Sequence, residues 1–283
     1  MNILITGCTG FIGSNILKRL KNNNKVYIIL RKKITNAKFN NKNIKEIYYN
    51  NYSELLKKLK KLQVDLVIHT ATHYSKSHNL DDLGNFSNSN ILLGNIILEN
   101  LKIMKAKKFI NFSTVWEDYN GIQNNYFNLY SAYKKAFSII LNYYKKKQPQ
   151  TKFYELMISD TFGSNDKRKK IINVLRENYK KNVTTKIISK NLFINLLNVE
   201  DVTDAVVLII KKKIKPEKYL IKNPVNFNLN KIIKKFNESS YKKIKIRWVS
   251  NKLIKEKTLS YKVLKSWKPT KSNISDIIKT IKN

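Results

Sequence analysis

The chain has 283 residues, 42% of them hydrophobic, which is enough apolar material for one large α/β domain with a smaller lobe and excludes wholesale disorder. Seven glycines and four prolines leave little for linkers, and the single cysteine, Cys8, excludes an internal disulfide framework and suits a reducing compartment. The formal net charge of +37 raises nucleic-acid binding, but only five of the 56 basic residues are Arg and the Lys residues run through the whole chain, so a Lys-, Asn- and Ile-rich codon bias accounts for the charge and nucleic acid is not an expected partner.

In chain order, the continuous apolar run at 2–6 predicts a buried strand. A helix follows over 11–22, with Phe11, Ile12, Ile16, Leu17 and Leu20 at helical spacing. Strands are predicted at 25–30 and 44–49, a Lys-rich helix at 52–62, and a fourth strand at 64–70. A long helix fits 88–104, a fifth strand 107–113, a second long helix 129–146 and a sixth strand 153–158. Beyond about residue 160 the rhythm loosens. Helices are predicted at 166–179, 200–212 and 274–281, and strands at 192–197 and 243–249.

Alternation of this kind predicts βαβ units, hence an α/β fold with a doubly wound parallel Rossmann sheet and a smaller C-terminal α/β substrate lobe. The expected division is a dinucleotide-binding domain over 1–160. A lobe over 161–283 follows, with segments near 190–215 returning to the first domain. The opening residues lack the basic and apolar regions of a signal peptide. No stretch reaches the roughly 20 apolar residues of a membrane helix, since even the run from Ile91 to Leu101 is broken by Gly94, Asn95, Glu99 and Asn100. A cytoplasmic protein without a membrane partner is expected.

Ligands bind such sheets at the carboxyl ends of the strands, so the residues just after each strand carry the argument. After the first comes Thr6-Gly7-Cys8-Thr9-Gly10-Phe11-Ile12-Gly13. Gly7 permits the tight turn, Gly10 lets a pyrophosphate approach, and Gly13 lets helix and strand pack closely. The helix N-terminus supplies N–H groups and positive potential for phosphates. Arg31 follows the second strand, with Lys32 and Lys33. An acidic residue there would accept from ribose hydroxyls, whereas Arg matches a 2′-phosphate, so NADP is expected, with NAD as the alternative.

Tyr130 and Lys134 form Y-x-x-x-K, and i and i+4 share one helix face, so the ammonium is expected to lower the phenol pKa. Ser113 and Thr114 end the fifth strand, where a hydroxyl can donate to a developing alkoxide. Thr114 is preferred and Ser113 held in reserve. His69, His73 and His78 have neither the spacing nor the acidic company of a metal site, and no metal is expected.

This set resembles the extended short-chain dehydrogenase/reductase (NAD-dependent epimerase/dehydratase) family of nucleotide-sugar enzymes. The resemblance implies that Tyr130 exchanges a proton with substrate and that Lys134 also holds the nicotinamide ribose. It places Thr9, Phe11, Ile12, Thr70, Ala71, Thr72 and Asn90 along the cofactor. It brings in Asp160, Arg168 and His73 as substrate candidates. Thr114 is followed by Val115 and Trp116 rather than the carboxyl pair of the family's dehydratases, so dehydration is discounted. The segments from Asn111 to Trp116 and from Asn128 to Phe137 look like the abequose and paratose synthase branch, reductases of nucleotide-linked 4-keto-6-deoxy sugars. An NADPH-dependent reductase of that class is therefore expected. A nucleotide-sugar 4-epimerase, an RNA-binding protein on the same fold, and a homodimer through the two long helices stay open.

Overall fold

A computed structural model describes residues 1–31 and 39–283. Lys32 and Lys33 lie outside the described residues. The chain runs β1 (Asn2–Thr6), α1 (Phe11–Leu20), β2 (Lys25–Leu30), β3 (Ile44–Tyr48), α2 (Tyr52–Leu59), β4 (Leu66–His69), α3 (Leu80–Phe86) and α4 (Leu93–Asn100). Next come β5 (Lys108–Thr114), α5 (Leu129–Lys147), β6 (Lys152–Ile158), β7 (Asp160–Phe162), α6 (Ile171–Lys181), β8 (Thr185–Ile187), β9 (Leu192–Ile194) and β10 (Leu196–Asn198). The last elements are α7 (Val199–Lys211), β11 (Lys218–Ile221), β12 (Phe227–Asn228), α8 (Leu229–Glu238), β13 (Ile246–Trp248), β14 (Ile254–Lys255) and α9 (Ile274–Lys282).

Seven strands form one sheet in the order β11-β6-β5-β4-β1-β2-β3, and every pairing in it is parallel. The order reverses between β1 and β4, which opens a crevice beyond their carboxyl ends. The strands read as near-continuous apolar runs because both sheet faces are covered. On one face Ile3, Ile5, Val26, Ile28 and Ile110 pack with Ile16 and Leu17 of α1 and with Val202, Val206 and Ile209 of α7. On the other, Leu4, Val67 and Phe109 pack with Leu55 and Leu59 of α2, Ile97 of α4 and Phe137 and Leu141 of α5. A separate core joins Phe162, Leu175, Phe227, Ile232, Phe236, Ile277 and Ile281.

Several elements differ from the sequence reading. The helix expected at 88–104 begins at Leu80, continues as a π-helical turn over Ser87–Leu92 and ends at Asn100. Its start is fixed by a capping box between Asn79 and Asp82, and exposed Leu80 and Leu83 give no apolar periodicity there. The strand expected at 192–197 is two short strands in different sheets. Buried Asn195 separates them, its Nδ2 donating to the carbonyls of Asn223 and Val225. The helix expected from 166 starts at Ile171, because Asp166 accepts from the backbone N–H and guanidinium of Arg168 instead. Helix α8 and strands β7, β8, β11, β12 and β14 have no counterpart in the reading, and β11 forms the edge of the main sheet beside β6.

Candidate active site

The glycine loop leaves β1 with Gly7 at φ +69°, a left-handed conformation glycine adopts without strain. A Cβ on Gly7 would lie 2.5 Å from the Ala71 nitrogen, and one on Gly13 would lie 2.2 Å from the Gly7 carbonyl oxygen. The loop is thus pressed against the β4 exit. Thr6 clamps the two strand ends: its Oγ1 lies 2.9 Å from His69 Nδ1 and accepts from the Ala71 N–H, and Thr70 Oγ1 donates to the Thr6 carbonyl at 2.6 Å. His69 is fully buried, and burial, with the nearby Lys134 cation, lowers its pKa to about 3. It is a neutral strut, not a ligand.

Gly10 differs from Gly7 and Gly13. Its φ is −77°, no side chain caps α1 there, and a Cβ would meet only the Gly7 oxygen, at 3.2 Å. Its remaining surface faces a cavity of about 830 Å³. This cradle, open at Gly10 and walled by first-turn residues of α1, fits a dinucleotide pyrophosphate.

The cavity runs along the switch point. Gly7, Thr9, Gly10, Phe11, Ile12 and Gly13 line it, as do Thr70, Ala71 and Thr72 from the β4 exit and Asn88 and Ser89 from the π-helical turn. At one end stand Arg31, Tyr49 and Tyr52. Burial pushes both phenols up and the Arg31 cation pulls them back. Asp160, at the other end, is the only carboxylate among the described residues lining the cavity.

Thr114, Tyr130, Asp160, Thr161 and Arg168 line that other end together with Tyr74, Trp116 and Lys170. Strand alternation separates the hydroxyl pair: Thr114 lines the cavity, while Ser113 turns to the opposite face and is buried. A capping box between Asn128 and Ser131 starts α5 and fixes the first turn that carries Tyr130. Lys134, one turn on, is buried behind the cavity wall.

The phenol does not titrate as the sequence reading expected. Burial, then the Glu117 charge, raise the Tyr130 pKa, with Arg168 opposing. Burial also lowers Lys134 to about 8, with Glu117 and Glu155 holding it up. Desolvation of the pair outweighs the attraction that lowering the phenol would need.

Asn90 and His73 also stand behind the wall. Asn90 Oδ1 accepts from the His73 N–H at 2.6 Å and its Nδ2 donates to the His73 carbonyl at 3.1 Å. His73 Nε2 lies 2.6 Å from Asp82 Oδ1 and its ring meets Phe86 edge-on. These bonds fix the β4 exit and turn the next residue, Tyr74, into the cavity. Arg168 is anchored: Nε and Nη2 reach both Asp166 oxygens at 2.9 Å, Nη2 also donates to Thr161, and the guanidinium lies over Phe11 at 4.3 Å. Lys170 Nζ sits 2.8 Å from Asp160 Oδ1 and 3.7 Å from the Trp116 ring centre. Tyr74 meets the Tyr130 ring edge-on at 5.1 Å.

Sequence reasoning missed Tyr49, Tyr52, Tyr74, Trp116 and Lys170. Lys170 is hidden among many lysines, whereas Tyr74 and Trp116 follow the β4 and β5 ends and were findable from that position. Among the described residues no His, Cys, Asp and Glu group could hold a metal, and no helix is long and apolar enough to cross a membrane.

A family model described as the NAD dependent epimerase/dehydratase family matches residues 3–221. The chain is similar to a CDP-abequose synthase of Yersinia pseudotuberculosis, at 31% identity over 74% of this chain and 73% of that one. It is also similar to a CDP-abequose synthase of Salmonella muenchen, at 25% identity over 74% and 70%. Among solved structures, the fold is similar to UDP-glucose 4-epimerase of Thermus thermophilus in complex with NAD. That likeness has TM-score 0.79 and 18% identity and covers 99% of this chain and 98% of that one.

Proposed function

The chain belongs to the NAD dependent epimerase/dehydratase family and is an NAD(P)-dependent enzyme of the extended short-chain dehydrogenase type, and from that premise we propose that it reduces a nucleotide-diphosphate 4-keto-6-deoxy sugar with NADPH. The observation that carries the reading is the single continuous cavity, with Arg31 and no described carboxylate at one end and Thr114 and Tyr130 at the other. The 31% identical abequose synthase supports the same class.

Gly7, Thr9, Gly10, Phe11, Ile12, Gly13, Arg31, Thr70, Ala71 and Thr72 hold the cofactor, which supplies a hydride to the keto carbon. Tyr130 donates its phenolic proton to the sugar oxygen. Its raised pKa suits this direction, because the phenol keeps its proton at neutral pH until the oxygen becomes basic. Thr114 hydrogen-bonds the same oxygen and orients it. Lys134, mostly protonated at neutral pH, steadies the phenolate left behind. Arg168 presents its remaining edge to the diphosphate, and Asp160 takes a sugar hydroxyl. Asn90 and His73 act at one remove by setting the β4 exit. Exposed Ile139 and Tyr143 of α5 mark the face on which a second copy would dock.

The test is NADPH oxidation against a panel of nucleotide-linked 4-keto-6-deoxy sugars. The wild-type protein should consume NADPH with at least one of them, and Tyr130→Phe should lose about a hundredfold or more in kcat. Interconversion of sugar epimers with NAD and no net cofactor turnover would refute reduction in favour of epimerisation.

A further inference from the structure

Behind α5 lies a group of buried charges that the steps above do not use. Glu117, on the 3₁₀ segment after β5, has no exposed surface, and its Oε2 accepts from Lys218 Nζ at 2.9 Å. The same ammonium, carried by β11, lies 2.6 Å from Oε1 of buried Glu155 on β6. Ser138 Oγ sits between Glu155 Oε1, at 3.0 Å, and the Lys134 carbonyl oxygen, at 3.2 Å. Glu117 Oε1 is buried with no hydrogen-bond partner among the described residues. A carboxylate placed so poorly for hydrogen bonding is costly to bury, which calls for a reason beyond packing.

The charges facing Lys134 come from every side. Glu117 arrives from the β5 exit, Glu155 from β6, Lys218 from β11 and neutral His69 from β4, while Tyr130 shares its helix. Lys145, farther along α5, acts on Glu155. Burial pushes the Glu117 carboxyl up and the Lys218 ammonium pulls it back; with both carboxylates ionised, Lys134 and Lys218 balance them. Glu117 is the member that acts on both Lys134 and Tyr130. Without its charge Lys218 would still be paired with Glu155, and Lys134 would be left as an uncompensated buried cation.

We propose that Glu117, held by Lys218, is a positioning residue that keeps Lys134 charged from behind the cavity wall and thereby sets the pH range over which Tyr130 can act. The proposal rests on the assignment of Tyr130 and Lys134 as the proton-handling pair. It makes a prediction of sign that a purely structural role does not. Glu117 and Glu155 raise the Lys134 pKa, whereas burial and Lys218 lower it. Removing Glu117's charge must therefore move Lys134 down.

The test follows the side-chain resonance of Lys134 in isotopically lysine-labelled protein, assigned by its loss in Lys134→Met, over about pH 6 to 11. Relative to wild type, the midpoint should fall by about one pH unit in Glu117→Gln. Glu117→Asp, which keeps the charge, should stay near wild type. The alkaline limb of kcat/KM should move in the same direction. An unmoved or raised midpoint in Glu117→Gln, or an equal fall in Glu117→Asp, overturns the proposal. Should Glu117→Gln not fold, Glu117→Asn decides alone: an unmoved or raised midpoint overturns it. The resonance needs no turnover. A lowered midpoint in a protein without reductase activity would therefore uphold the charge coupling while refuting the reaction, and an unmoved midpoint in an active reductase would do the reverse.

Discussion

Gly10→Ala separates the cofactor cradle from the fold that supports it. At φ −77° an alanine is unstrained, and its methyl carbon would meet only the Gly7 oxygen, at 3.2 Å, a gap that a few tenths of an ångström relieve. Alanine is a poorer N-cap than glycine, but it lowers the entropy of the unfolded chain, so the two effects roughly cancel within about 1 kcal/mol. The melting temperature should thus stay within a few degrees. The cavity side is different. There the methyl group occupies the space through which a pyrophosphate approaches the backbone, and an overpacking cost of about 2 kcal/mol corresponds to roughly thirtyfold weaker binding. Fluorescence titration with NADPH, alongside calorimetry of the free protein, measures both halves. An unchanged dissociation constant would refute the placement of the pyrophosphate at Gly10, and a large loss of stability would refute the claim that the two are separable.

At the far end of the same cavity, Arg31→Asp should weaken NADPH binding by about a hundredfold or more while leaving NADH within a few-fold, read by competition titration, because a carboxylate repels a 2′-phosphate and accepts from a ribose hydroxyl. Equal losses for both cofactors would remove Arg31 from that role. His69, with a folded pKa of about 3 against an ordinary 6.5, makes the unfolded chain bind the extra proton between those values. Its contribution to stability is therefore fully present above about pH 6.5 and is lost as the pH falls toward 3. His69→Gln should flatten the acid limb of denaturant midpoint against pH, and an unaltered slope would count against the buried neutral ring.

The glycine loop and the Tyr130–Lys134 spacing were readable because local rules fix them: a strand, a turn that requires glycine, and a helix with i and i+4 on one face. Strand period sends Ser113 and Thr114 to opposite faces, and Thr114, the one preferred from the sequence, lines the cavity. What stayed hidden depends on distant partners. Asn195 breaks a seemingly continuous strand because it bonds the 223–226 turn. Lys170 reaches the cavity because β7 brings Asp160 and the 3₁₀ segment brings Trp116. Tyr130 was expected to ionise readily, but depth of burial and the charge of Glu117 have no signature in a five-residue motif.

The main sheet takes its last strand from residues 218–221, after the chain has passed through the 160–198 strands and helix α6. As the polypeptide emerges in order, β6 waits as an open edge, and the acidic side chains at 117 and 155 wait for the ammonium that β11 brings. Their burial is compensated in full only when it arrives, so the closing of the sheet edge and the pairing of these charges are one event.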